Sequence, residues 1–260
     1  MSLNTRRRRW LEKASPFILM ALIVLLWEAV CRGLGVSEFV FPSPSAIWAK
    51  LMEFHAEIGK HAWRTFWVTM LGFALAIVVG VLLGFVIGSS RLAYTALYPL
   101  MTAFNALPKA AFIPILVVWF GIGVGPAVLT AFLISFFPIT VNIATGLATL
   151  EPELEDVLRV LGAKRWDVLT KVGLPRAMPY FWGSLKVAIT LAFVGTTVSE
   201  MTAANEGIGY LLISAGSSMQ MGLAFAGLLV VGVMAMLMYE LFSWVDRHTT
   251  AWAHRGTQGG

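Results

Sequence analysis

The residues best suited to chemistry are polar side chains that recur at helical spacing inside two long apolar runs. They are Ser135 and Asn142 in the first run, and Lys186, Thr190, Thr197 and Glu200 in the second. Side chains at such spacing share a helix face, and a polar face should avoid lipid. Two interpretations stay open: the stripes line a path for a polar solute across a membrane, or they hydrogen-bond between packed helices.

Lys186 has two further interpretations. It lies under two turns from one end of its apolar run, so its ammonium group can reach the membrane surface while its stem stays in the apolar layer. Alternatively, it offers a positive charge to an anionic solute.

Covalent or metal chemistry has little support in the sequence. No HExxH, GxSxG or Walker A pattern occurs, and no apolar run carries a series of acids and histidines suited to a proton relay. Cys31 is the single cysteine, which excludes an internal disulfide and a cysteine-based metal cluster. The pattern disfavours an intramembrane enzyme and predicts no metal or cofactor. Any energy source must come from a partner, because the sequence has no nucleotide-binding domain.

Composition predicts a polytopic helical membrane protein. The chain has 260 residues, of which 58% are hydrophobic and 13% charged, with a mean hydropathy of +0.79. A soluble domain is roughly half apolar and a quarter charged. The basic residues collect beside the apolar runs, where they set membrane orientation, so the net charge of +5 is not a nucleic-acid signature.

Six apolar runs are long enough to cross a membrane. The predicted spans are Pro16–Gly33, Phe66–Gly88, Leu100–Phe120, Pro126–Leu147, Tyr180–Ser199 and Gly222–Val245. The third is interrupted by Asn105, Pro108, Lys109 and Pro114, which predicts a broken or kinked helix.

The positive-inside rule predicts that both chain ends are cytoplasmic. Basic residues lie in the N-terminal tail, in the loop with Arg91, in the loop after the fourth span and in the C-terminal tail. The 200–220 loop has no Lys or Arg. The predicted organisation is an N-terminal tail (1–15), a first span (16–33), an outer segment (34–65), a five-span core (66–245) with a cytoplasmic loop (151–177), and a tail (246–260).

The outer segment contains a predicted surface helix. Ser45 is a candidate N-cap for a helix over Ala46–His61, whose apolar residues repeat at helical spacing. This helix is expected to lie on the outer face of the membrane.

Small residues form a stripe on the second span. They are Gly72, Ala76, Gly80, Gly84 and Gly88, each four residues after the last. Such a stripe lets the backbone of another helix approach closely in lipid.

A polar, amphipathic segment separates the fourth and fifth spans. It covers Asp156–Pro175, called here the amphipathic loop, and its pattern predicts two short helices joined at Gly162. The segment either docks into another protein or lies on lipid headgroups.

The spacing within this loop resembles the EAA loop of permease subunits of bacterial ABC importers, E-A-A-x3-G-x9-I-x-L-P. Asp156 stands at the acidic position, Leu158 replaces an Ala, and Gly162, Leu174 and Pro175 match. Other matching stretches are Phe41-Pro42-Ser43-Pro44, Arg64-Thr65, Leu71-Gly72-Phe73, Trp119-Phe120-Gly121-Ile122-Gly123, Glu200 and Gly207-Ile208-Gly209-Tyr210. Together they resemble the permeases of the nitrate/sulfonate/taurine type.

That resemblance implies an all-α, six-span, MetI-like type I importer fold in a bacterial inner membrane. It implies a homodimer, two cytoplasmic ATPase subunits that bind ATP and Mg, and a periplasmic or lipid-anchored binding protein that delivers a small solute. Solutes of the family include nitrate, alkanesulfonates, taurine, aromatic acids and vitamin precursors, and the Thr-rich stripe with Lys186 favours an anion. The ATPase contact would fall on the loop residues Asp156, Arg159, Gly162, Ala163, Lys164, Arg165, Trp166, Leu174 and Pro175. The alternative is a secondary transporter or channel that works alone, which would not need this loop.

Overall fold

The computed structural model describes residues 3–148, 157, 158 and 160–250, and the regular structure within them is entirely helical. The main helices are α1 (Leu3–Gly33), α2 (Pro44–Glu53), α3 (His55–Gly88), α4 (Arg91–Ala106), α5 (Ile113–Phe120), α6 (Val124–Ala148), α7 (Leu174–Ala203), α8 (Ile208–Ser217) and α9 (Met221–Thr249). Short helical turns cover Lys109–Phe112, Arg165–Val168 and Leu169–Gly173. The predicted all-α class is confirmed.

Five stretches in the described residues are long and apolar enough to cross a membrane: Ala14–Gly33, His55–Gly88, Val124–Ala148, Thr170–Ala203 and Met221–Thr249. A sixth candidate is a broken pair, Arg91–Ala106 followed by Lys109–Phe120, bent by 75°. The predicted break in the third span is therefore present, but the span begins at Arg91 rather than Leu100. Ser90 starts it by accepting a hydrogen bond from the Ala93 backbone N–H at 3.0 Å.

The chain divides into two compact units, Met1–Gly59 with Leu211–Leu229, and Lys60–Tyr210 with Val230–Gly260. In the first unit, the Glu28 carboxylate accepts hydrogen bonds from the Ser45 backbone N–H at 3.0 Å and from the Ser45 hydroxyl at 2.7 Å. Trp27, Phe41 and Phe225 form an aromatic cluster, with ring centroids 5.2 to 6.4 Å apart.

The prediction of one surface helix over Ala46–His61 capped by Ser45 is wrong. The cap is Ser43, whose hydroxyl accepts from the Ala46 N–H at 3.3 Å, and Pro44 occupies the first turn. Ser45 cannot serve as the cap because it lies inside the helix and its side chain bonds to Glu28. Phe54 leaves helical geometry at φ −107° and ends α2, so the remaining predicted residues belong to α3.

In the second unit, the glycine stripe of α3 lies against α6. A Cβ atom added to Gly72, Gly80, Gly84 or Gly88 would meet the Cβ atoms of Ala131, Ile139, Ile143 or Leu147 respectively, at 2.6 to 2.9 Å. The contacting residue lies 59 positions further along the chain in every case, so the two helices run in the same direction. That direction agrees with a broken third span that crosses the membrane once between them.

An extensive helix pairing in this unit joins α6 and α7. Ala131, Ile139, Ala188, Ile189 and Ala192 are wholly buried. Gly195 faces Ala131 near one end of the pair and Gly146 faces Ala177 near the other, so α6 and α7 are antiparallel. Small residues thus bring α6 close to both α3 and α7.

We expect Gly80→Leu to destabilise the protein by about 1–3 kcal/mol, because the new side chain would overlap Ile139 in a contact already at van der Waals distance. The matched control is Gly232→Leu, since Gly232 lies in α9 with no atom within 4 Å of an added Cβ. Thermal unfolding in detergent measures both variants. Equal unfolding temperatures would show that the glycine contact contributes little to stability.

Candidate functional site

The first half of the amphipathic loop ends in a helix-terminating turn at Gly162. The Leu161 N–H donates to the Val157 carbonyl at 3.1 Å, and the Ala163 N–H donates to the Leu158 carbonyl at 3.0 Å. Gly162 has φ +87°, a left-handed conformation that glycine adopts without steric cost. The bond from Ala163 to Leu158 around a left-handed glycine is the outer bond of a Schellman motif, which turns the chain sharply after a helix.

The second half of the loop restarts as a helix at once. The Asp167 carboxylate accepts from the Lys164 backbone N–H at 3.3 Å, which is one arm of a capping box, and pairs with the Lys171 ammonium at 2.8 Å. The hydrogen bond from Lys171, and then that from Lys164, lower the pKa of Asp167. The predicted loop residues Leu174 and Pro175 are the first two residues of α7, where proline is favoured.

Four residues of the predicted loop contact cannot be assessed from the described part of the chain. Asp156 and Arg159 lie outside the described residues, and the side chains of Arg165 and Trp166 lie outside them as well. The roles of these four residues stay predictions.

The turn at Gly162 presents an exposed apolar surface. Val160 is 87% exposed, Leu161 77% and Val157 56%, whereas Val168 in the second half is 3% exposed. We call Val157, Val160 and Leu161 the apolar patch. Three aliphatic side chains held outward on a turn that faces away from the core are typical of a contact surface.

A second polar site caps the N-terminus of α8. Three consecutive backbone N–H groups donate to side chains from other helices: Gly207 to His61 Nδ1 at 3.0 Å, Ile208 to Thr65 Oγ1 at 2.8 Å, and Gly209 to Glu200 Oε2 at 3.0 Å. The three accepting side chains, His61, Thr65 and Glu200, are called here the helix cap. They accept hydrogen bonds from N–H groups that a helix leaves unpaired at its start. Glu200 is 2% exposed and also accepts from the Thr65 hydroxyl.

The helix cap explains the glycines of Gly207-Ile208-Gly209. A Cβ on Gly207 would fall on the Glu200 carboxylate, and a Cβ on Gly209 would meet the Thr197 carbonyl. The sequence prediction assigned Glu200 to the path stripe and missed His61 and Thr65. Their spacing of four residues, which places both on one face of α3, was the available signal.

A cavity of about 210 Å³ opens beside the helix cap. Its lining includes Arg64, Val124, Glu200, Asn205 and Glu206. The Arg64 guanidinium lies 3.6 Å from the Glu206 carboxylate, and both side chains are about half exposed. The predicted topology assigns this cavity to the outer side of the membrane.

Lys186 has an acidic partner in the structure. Its ammonium group lies 2.8 Å from the Asp246 carboxylate, and both side chains are largely buried. The Thr250 hydroxyl donates to the other Asp246 oxygen at 2.5 Å. The positive charge of Lys186 is therefore balanced within the protein by Asp246, and its two sequence interpretations stay predictions.

The remaining stripe residues bond to their own helices. Ser135 is wholly buried and donates to the Ala131 carbonyl at 2.6 Å, and Asn142 donates to the Pro138 carbonyl at 2.8 Å. Thr190 donates to the Val187 carbonyl at 2.8 Å. Thr197 is buried, and its hydroxyl has no partner among the described residues. A role for these four side chains in a path stays a prediction.

No group of three or more His, Cys, Asp or Glu side chains that could hold a metal ion occurs in the part of the chain that the structure describes. The two sites above are an exposed apolar surface and a buried hydrogen-bond network.

Comparison with known proteins identifies relatives over most of the chain. The family model described as "Binding-protein-dependent transport system inner membrane component" matches residues 76–251. A probable ABC transporter permease protein of Haemophilus influenzae is 31% identical, with 92% of this chain and 97% of the relative covered. The formylaminopyrimidine transport permease protein ThiX of Halalkalibacterium halodurans is also 31% identical, with 78% and 81% covered.

A solved structure supports the fold. The chain resembles the MetNI methionine ABC transporter in an inward-facing conformation, with a TM-score of 0.66, 17% identity, and 76% of this chain and 98% of that chain covered. The MetI-like type I fold predicted from the sequence is confirmed.

Proposed function

The chain is a member of the family of binding-protein-dependent transport system inner membrane components, and we propose that its amphipathic loop couples solute movement to a partner ATPase. Within that family the chain is the permease subunit of an ABC importer. The proposal concerns how this subunit is driven, with which partners it assembles and which solutes it passes.

The observation that carries the proposal is the exposed apolar patch on the Gly162 turn. Burial of apolar surface contributes about 25 cal/mol per Å², so a few hundred Å² contributes several kcal/mol before the costs of association. The Schellman turn holds the patch in one conformation, which lowers the cost of ordering it in a groove. Lys164 and Lys171 lie on the exposed surface of the same loop and suit an acidic rim around such a groove.

The proposed assembly contains two copies of this chain, two ATPase subunits on the cytoplasmic side, and a periplasmic or lipid-anchored binding protein. Both chain ends would be cytoplasmic in a bacterial inner membrane, as the distribution of Lys and Arg favours. The domain boundaries predicted from the sequence are part of this proposal. ATP and Mg would bind to the ATPase subunits.

The names of three relatives support a small anionic solute, and the names of two others do not. Three relatives are named as permease proteins for aliphatic sulfonates, taurine and nitrate. Sulfonate and nitrate groups are anions at neutral pH. Two other relatives are named for formylaminopyrimidine and riboflavin, which have neither group.

Copurification tests the proposed coupling. We expect the tagged chain, extracted from its host membranes in mild detergent, to bring down an ATPase with a Walker A motif, and Val160→Asp to lose it. Leu92→Asp is the matched control, because Leu92 is similarly exposed at 81% but lies outside the amphipathic loop. Docking through the apolar patch would be refuted if both variants retain the ATPase, or if both lose it.

A further inference from the structure

The break in the third span contains a lysine, Lys109, that has neutral partners. Its ammonium group donates to the Asn105 side-chain Oδ1 at 2.5 Å and to the Asn105 backbone carbonyl. No acidic side chain forms an ion pair with Lys109 in the described residues. Lys186 differs in this respect, because Asp246 faces it.

The two side chains present mainly hydrogen-bond donors to their surroundings. An ammonium group has three N–H donors, and Lys109 uses two of them on Asn105. The Asn105 amide oxygen accepts from Lys109, and its NH₂ group has no partner in the described part of the chain. The pair therefore offers one ammonium N–H, two amide N–H groups and one net positive charge.

The position of the break gives these donors access to a polar medium or to a second subunit. The helical turn Lys109–Phe112 contacts α6 and α7, the two helices that carry the predicted path stripes. Leu107 is 45% exposed, and Pro108 and Ala110 are also exposed. Non-helical backbone within a membrane is tolerated only where protein buries it or where it lines a water-filled cavity.

We propose that Lys109 and Asn105 form a binding site for the anionic group of the transported solute. A donor-rich surface with a positive charge matches a sulfonate or nitrate group, whose oxygens accept hydrogen bonds, and it repels cations. An ionisable side chain within a span usually marks a solute or ion pathway. The proposal rests on the proposed function for its substrate class, but not on the coupling loop.

Chemical labelling tests the charge at the break. Ala110→Cys is placed in a Cys31→Ser background, because Cys31 is the single native cysteine. The complex in proteoliposomes is treated with 2-sulfonatoethyl methanethiosulfonate, which is anionic, and with its cationic trimethylammonium analogue. We expect Lys109→Met to lower the anionic-to-cationic rate ratio at least about threefold in buffer of low ionic strength, where a unit charge acts over roughly 10 Å with little screening. Lys109→Arg should preserve the ratio, and Lys186→Met should change it less than about twofold.

Protection by solute anions tests binding. N-ethylmaleimide, an uncharged reagent, labels the thiol of the Ala110→Cys variant with sodium nitrate, sodium ethanesulfonate or sodium gluconate at matched ionic strength. We expect nitrate or ethanesulfonate to slow labelling at least about threefold with Lys109 or Lys109→Arg, and not with Lys109→Met or Asn105→Leu. The proposal is overturned if Lys109→Met leaves the rate ratio unchanged. It is also overturned if the anions do not slow labelling, or if they still slow it in Lys109→Met. Neither result depends on ATPase docking, so the coupling proposal stands or fails separately.

Discussion

Replacing Gly162 by valine is expected to abolish coupled transport while leaving the membrane helices folded. An added Cβ meets no atom within 4 Å, so the cause is not a clash. Gly162 has φ +87°, where a side chain costs about 1–2 kcal/mol and a β-branched one costs more. The turn would open, and the apolar patch would lose its fixed direction.

Gly162→Asn is the matched control, because asparagine tolerates the left-handed region far better than valine. The measurement is ATP hydrolysis stimulated by loaded binding protein, recorded beside uptake in the same proteoliposomes. We expect both activities to be near normal in Gly162→Asn and uptake to be lost in Gly162→Val. Normal uptake in the valine variant would mean that the turn does not transmit the coupling.

The second large effect is expected at the helix cap. Glu200→Ala leaves the buried Gly209 N–H without an acceptor and removes the acceptor of the Thr65 hydroxyl. Each unsatisfied buried group costs about 1–3 kcal/mol, so the unfolding temperature in detergent should fall by several degrees. Thr65→Val should have a similar effect, because it leaves the Ile208 N–H unpaired.

Two further variants test whether the stabilising effect of Glu200 comes from its hydrogen bonds in the helix cap or from its negative charge alone. Glu200→Gln keeps an amide oxygen that can accept from Gly209, so it should be more stable than Glu200→Ala. Glu206→Ala removes an ion pair between half-exposed side chains, which is worth about 0–1 kcal/mol. Equal unfolding temperatures for Glu200→Ala and Glu206→Ala would contradict a stabilising cap.

The features that sequence predicted well are those that local periodicity encodes. Five regular small residues predicted a face on α3 for close approach, and four of them lie against α6. Proline and polar residues in the third span predicted its break. Gly162 predicted the turn between two short helices, because glycine is the residue that a Schellman motif favours.

The features that sequence could not predict join residues that are distant along the chain. His61, Thr65 and Glu200 meet at α8 only because α3 and α7 are placed beside it by the fold. The ion pair of Lys186 with Asp246 has the same origin, since 60 residues separate them. The misplaced cap of α2 is a local error: Pro44 suits the first helical position, which favours Ser43 as the cap, and Ser45 bonds to Glu28 instead.

Photo-crosslinking from the amphipathic loop tests the central claim most directly. A photoreactive amino acid replaces Val160 in the full-length chain, which is irradiated in native membranes beside a control that carries the same group at Leu92. We predict a crosslink between position 160 and a Walker A ATPase, absent at position 92 and strengthened when nucleotide holds the ATPase subunits together. A crosslink from position 160 to lipid alone would contradict the claim and would identify the loop as a membrane-surface helix.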